Sequence, residues 1–103
     1  MDSLLFQRFW FNKHMLGASA LASLGGSPYT NTFWRGYQRG MRRLYHGEKF
    51  GTQDEHALWM AAADETRDED RRYCGIGYFA GYSGMSISDA VKQLAVVDKE
   101  LKG

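Results

Sequence analysis

Two segments of the chain, Gly36-Tyr37-Gln38-Arg39-Gly40 and Gly77-Tyr78-Phe79-Ala80-Gly81, are written on one pattern, Gly-Tyr-x-x-Gly. The spacing puts both glycines of a segment on the same side of a helix. Each glycine inside a helix costs about 0.5–1 kcal/mol relative to alanine, so two in one helix need a compensation. The close approach of a second backbone is what a missing side chain permits, and the chain contains a second helix with the same notch. A crossing of these segments is therefore the expected centre of the fold, with Gly36, Gly40, Gly77 and Gly81 structural and Tyr37 and Tyr78 filling the flanks. A glycine-rich phosphate cradle needs a strand leading into the glycine loop. Here the glycines fall inside helical sequence.

The remaining patterns are also helical. Ser3 caps a first helix to about Leu24, and Gly25-Gly26-Ser27-Pro28 ends it. Phe6, Phe9, Trp10 and Phe11 wrap most of this helix, leaving Arg8, Asn12, Ser19 and Ser23 as its polar strip. The expected place of so wide an apolar surface is the core, with a dimer or partner interface as the alternative. Thr30 or Asn31 opens a second helix, which ends near His46-Gly47. Thr52-x-x-Glu55 and Thr66-x-x-Glu69 have the capping-box form and open a third and a fourth helix; the fourth stops around Ser83-Gly84. Ser86 or Ser88 starts a fifth, with Ile87, Val91, Leu94, Asp98 and Leu101 as its stripe. No stretch alternates with a period of two long enough for a strand. The expectation is an all-α bundle of about five short helices, one domain over residues 1–103. The Gly-Tyr-x-x-Gly helices and their followers are alike enough to suggest a duplicated helical hairpin after the N-terminal helix.

Charge is distributed more tellingly than its total, a formal +1. The second helix gathers Arg35, Arg39, Arg42 and Arg43, followed by Lys49, with Tyr45 and His46 beside them. Asp64, Glu65, Asp68, Glu69 and Asp70 form an acidic run. Arginine forks grip phosphates and carboxylates at two points, and neighbouring rings stack on exposed bases. The basic face is thus the leading partner-binding surface, and the acidic run the alternative one. A solvated face paired with the chain's own carboxylates is the plain structural account of the same residues. No metal site is expected, because His14, His46, His56 and Cys74 lack the short spacings of zinc ligands. No cofactor is expected either. The single Cys74 allows no internal disulfide and suits a reducing, cytoplasmic setting. The apolar run to Leu24 is too interrupted by Gln7, Arg8, Asn12, Lys13 and His14 to span a membrane.

At Arg35-Gly36-Tyr37-Gln38-x-Gly40 the sequence resembles the first helix of ribosome modulation factor, a family of short bacterial helical proteins. Gly75-Ile76-Gly77-Tyr78 stands where that family has a second glycine-containing aromatic helix. The resemblance covers about a fifth of the chain and implies docking onto ribosomal RNA through basic residues, here Arg35, Arg39, Arg42 and Arg43. The functional expectation is a non-catalytic regulatory protein that docks onto a ribonucleoprotein or protein partner, with RNA contact and a homodimer both left open. The first alternative is a protein inhibitor of the anti-CRISPR or antirestriction kind, working through the acidic run. The second is a small enzyme built on His56, or on Cys74 paired with His46.

Overall fold

The computed structural model describes the backbone of residues 3–24, 28–47, 51–64 and 67–102, and side chains within 8–24, 29–47, 51–64 and 67–100. Five helices follow in order: α1 (Ser3–Leu24), α2 (Pro28–His46), α3 (Gln53–Ala62), α4 (Glu69–Tyr82) and α5 (Ile87–Lys102). Among the described residues there is no strand, so the all-α expectation holds.

Local chemistry sets most of the boundaries. Thr52 caps α3, its hydroxyl accepting from the Glu55 amide at 3.1 Å, and Ser86 caps α5 by accepting from the Asp89 amide at 3.2 Å. Two starts differ from expectation. α2 begins at Pro28 rather than after Thr30 or Asn31, because proline's fixed φ and missing N–H cost nothing in a first turn. Asn31 lies inside the helix and donates to the Ala22 carbonyl at 3.2 Å, tying α2 to the end of α1. α4 is capped by Asp68, which accepts from the Arg71 amide at 3.1 Å; Thr66 and Glu65 lie outside the described residues. At the far end of α4, Gly84 takes a left-handed φ of 75° while Met85 N–H donates back to the Ala80 carbonyl at 3.0 Å, a stop that favours glycine.

α2 and α4 run parallel and meet through their notches. A methyl added at Gly36 or Gly40 would overlap the backbone of Cys74 or Tyr78, and one at Gly77 or Gly81 that of Phe33 or Tyr37. The relation is reciprocal: Phe33, Gly36, Tyr37 and Gly40 are used on α2 as Cys74, Gly77, Tyr78 and Gly81 are on α4. An approximate two-fold axis therefore runs between the two helices. Each notch tyrosine also reaches across. The Tyr37 hydroxyl donates to the Met85 carbonyl at 2.7 Å, and the Tyr78 hydroxyl shares a 2.8 Å hydrogen bond with His56 Nδ1.

The outer helices follow the same logic. α1 packs on α2 through buried Ala18 and the partly buried Trp10, Phe11, Met15 and Leu21. α3 lies on α4, with Ala62 and Ala63 pressed to Gly75. The repeated unit is thus a helical hairpin, α1–α2 and then α3–α4, one helix earlier than the sequence likeness placed it. α5 stands outside the repeat, from Ile87 beside Gly17 of α1 to Asp98, whose carboxylate accepts from Tyr73 at 2.6 Å. Its buried line is Ala90, Leu94 and Val97, whereas Val91 is 44% exposed. The small Ala90 lets α5 settle close to the core and turns the expected stripe outward at Val91. α1 is only half a core helix: its outer ridge of Phe9, Leu16 and Leu24 is 67–80% exposed. Among the described residues no helix is long and apolar enough to cross a membrane.

Candidate functional site

The four arginines of α2 do not share one face. Arg43 follows Gly36 and Gly40 at the helical i, i+4, i+7 interval and so lies on the face turned towards α3 and α4. It is 9% exposed, donates from Nη2 to Gln53 Oε1 at 3.1 Å, and leaves Nε without a partner. Arg43 is therefore withdrawn from the expected basic face. Arg35, Arg39 and Arg42, one residue behind on the same interval, are exposed and form the row that remains.

This row edges a groove of about 340 Å³ between α1 and α2, lined by Ser19, Ala22, Ser23, Asn31, Arg35, Gln38, Arg39 and Arg42. Among the described residues no carboxylate lines it. Gln38 is held there by donating to the Met15 carbonyl at 3.0 Å, and Ser23 donates to the Ser19 carbonyl at 3.1 Å. The two-fold relation gives the groove a counterpart on the other hairpin, where Met60, Ala63, Ile76 and Phe79 stand in the places of Ser19, Ala22, Arg35 and Gln38. That second groove is more apolar, though Asp64, Arg72, Gln93 and Glu100 also line it, and α5 contributes Val96 and Val97. One frame thus carries two chemistries, a largely apolar trough with charged edges beside α5 and a polar, basic one without such a helix.

The other expected members of the site are placed elsewhere. Tyr45 is half-buried against the rings of Phe11 and Trp10, at 5.1 and 6.1 Å, and burial raises its pKa; it belongs to the α1–α2 packing. His46 meets Phe11 edge-on at 5.3 Å. Lys49 lies outside the described residues. Of the acidic run, Asp68 serves as cap, and Asp70 accepts from the Thr32 hydroxyl at 2.8 Å. Glu69 lies against Tyr29 and raises its hydroxyl pKa, while Asp64 is exposed at the rim of the apolar groove. Arg72 pairs with Glu100 at 3.6 Å. Among the described residues no ion pair joins Arg35 or Arg39 to the acidic run.

Arg39 has a different neighbour, which the sequence reading missed. Its guanidinium carbon sits 5.1 Å from the centroid of the Trp59 ring on α3, a cation–π arrangement. Arg39 also lines a second hollow of about 340 Å³ with Glu55, Leu58, Trp59 and Arg71. Nothing in the spacing connects positions 39 and 59; the only sequence signal was a tryptophan on the short helix α3.

The groups weighed for catalysis are not assembled into a pair. His56 lies against Tyr82 in a tilted arrangement, at 4.4 Å between ring centroids, besides bonding Tyr78. Burial, and then the Arg43 charge, lower its pKa. Burial raises the pKa of Cys74, and its carbonyl faces Gly36; among the described residues no contact joins it to His46. No group of three or more His, Cys, Asp or Glu side chains among the described residues is placed to hold a metal ion. Compared with protein-family models, curated proteins and solved structures, the chain matches none of them.

Proposed function

We propose that this chain is a non-catalytic docking module that regulates a nucleic-acid-handling machine of the cytoplasm, with the α1–α2 groove as its contact surface. The observation that carries this reading is the exposed row of Arg35, Arg39 and Arg42 along a groove that, among the described residues, no carboxylate lines. Such a row offers planar, permanently charged forks to a phosphate-rich surface. The Arg35–Gly40 resemblance to ribosome modulation factor supports a ribonucleoprotein as the machine. The inhibitor reading has less surface to act through, since Asp68 and Asp70 are engaged within the chain.

The test is capture of partners from lysate by the wild type and by the Arg35→Glu, Arg39→Glu double variant, each with and without nuclease. The docking reading requires a ribonucleoprotein partner that the variant loses. It also requires affinity to fall with salt, with a log–log slope of about −2 for three arginine–phosphate contacts to a single strand. A partner bound equally by the double variant ends the reading.

A further inference from the structure

We infer that the site takes an unpaired nucleic-acid strand, its phosphates along the α1–α2 groove and one base in the hollow at Trp59. This rests on the docking reading and specifies its ligand.

The two-fold relation argues first against a protein helix in the open groove. On the α3–α4 hairpin the equivalent positions are Ile76 and Phe79, and it is this apolar surface that faces Val96 and Val97 of α5. In the open groove those positions are Arg35 and Gln38, and Met60 is replaced by Ser19. A helix laid there would desolvate guanidinium and amide groups with little apolar area to bury. A sugar–phosphate chain makes no such demand. It needs donors and positive charge, and the groove offers its exposed arginine row and the Ser19 hydroxyl.

Arg39 then joins two kinds of contact. It is shared by the groove and by the neighbouring hollow, where it lies over the Trp59 ring. A phosphate that draws the guanidinium towards the groove uncovers the indole face, leaving a platform walled by Leu58, itself 58% exposed. A base has a π-face suited to that platform. Glu55, the one carboxylate of the hollow, accepts hydrogen bonds and so faces the amino edge of a base more favourably than a phosphate. A base can enter only if it is splayed out of a duplex, which makes the ligand unpaired. The arrangement of phosphate row, shared arginine and aromatic hollow occurs on the side of the molecule that α5 leaves open.

The test uses the full chain and a fluorescent RNA of about 12 nucleotides, as a single strand and as a blunt duplex, with inorganic polyphosphate as a backbone-only competitor. Trp59→Leu keeps apolar bulk against Tyr78 while removing the stacking face, and its fold is checked by circular dichroism. The expected result is that the single strand binds more tightly than the duplex, and that Trp59→Leu weakens the single strand about ten-fold or more. Trp59→Phe should recover part of the loss, and none of these variants should change the affinity for polyphosphate itself, taken from its competition curve after correction for the RNA affinity of each variant. Equal affinity for strand and duplex, or a change within two-fold in Trp59→Leu, overturns the inference. If Arg35→Glu with Arg39→Glu still abolishes binding in that case, docking through the arginines stands and only the base hollow is lost. If that double variant is also silent, both fall together.

Discussion

Replacing Gly77 by alanine tests the crossing on which the rest of the molecule is built. A β-carbon at this position would overlap the Phe33 carbonyl oxygen and come within 2.9 Å of its carbonyl carbon and 3.1 Å of the Tyr37 amide nitrogen. All three are backbone atoms of a helix, so no side chain can swing away. The two helices must part by roughly 1 Å, and a gap of that size forfeits a quarter to a half of each dispersion contact across it. Phe33, Tyr37, Tyr78 and Ala80, all buried, lose contacts together. Overpacking of this kind costs about 3 kcal/mol or more, against a gain of about 1 kcal/mol from the better helix former. The net loss of about 2 kcal/mol is a large share of the 5–15 kcal/mol typical of a domain. Gly17 supplies the internal control. A methyl there would meet Ile87 Cγ1 at an ordinary 3.4 Å, so Gly17→Ala should stabilise by about 0.5–1 kcal/mol. Urea unfolding followed by far-UV circular dichroism reads both. A Gly77→Ala variant as stable as wild type, or a Gly17→Ala variant equally damaged, would refute the argument from backbone contact.

Other substitutions probe single features. Tyr73→Phe removes the hydroxyl that donates to Asp98; it should cost about 0.5–1.5 kcal/mol, read by urea unfolding, because the partly exposed Asp98 can turn to water. His56 has a folded-state pKa below the ordinary 6.5, so the unfolded chain takes up its proton first as pH falls. Stability should therefore be full above about pH 6.5 and decline below it, and His56→Gln should flatten that part of a melting-temperature profile taken from pH 5 to 8. Asp68→Ala should destabilise by about 1 kcal/mol through loss of the α4 cap, whereas Asp64→Ala, at an exposed rim, should stay within about 0.5 kcal/mol; thermal melts of the pair separate capping from general charge.

The sequence made the centre of the fold legible because a notch has one economical use: four glycines on two helices with the same spacing point to one contact. The caps at Thr52 and Ser86 were readable for a similar reason, since the atoms involved lie within a few residues of each other. The arginine row was read with one member too many. Helical periodicity placed Arg43 near Arg39 and Arg42, but whether a residue at the edge of a face turns in or out depends on the next helix, and α3 supplies Gln53 for it. Tyr45 was misplaced likewise, since Phe11 and Trp10 hold it from α1. Trp59 could not be paired with Arg39 by any local rule, because the contact arises only when α3 folds against α4 beside the crossing.

The dyad between α2 and α4 carries one more implication. A surface that meets its own likeness across an axis is self-complementary, as in an isologous dimer, so a peptide holding one such hairpin has the shape needed to associate with a copy of itself. In this chain both halves are tethered, and the last helix, which starts beside α1, lines the groove of only the second. That choice is what makes a symmetric scaffold polar, with one flank lined by aliphatic side chains of that helix and the other left for a guest.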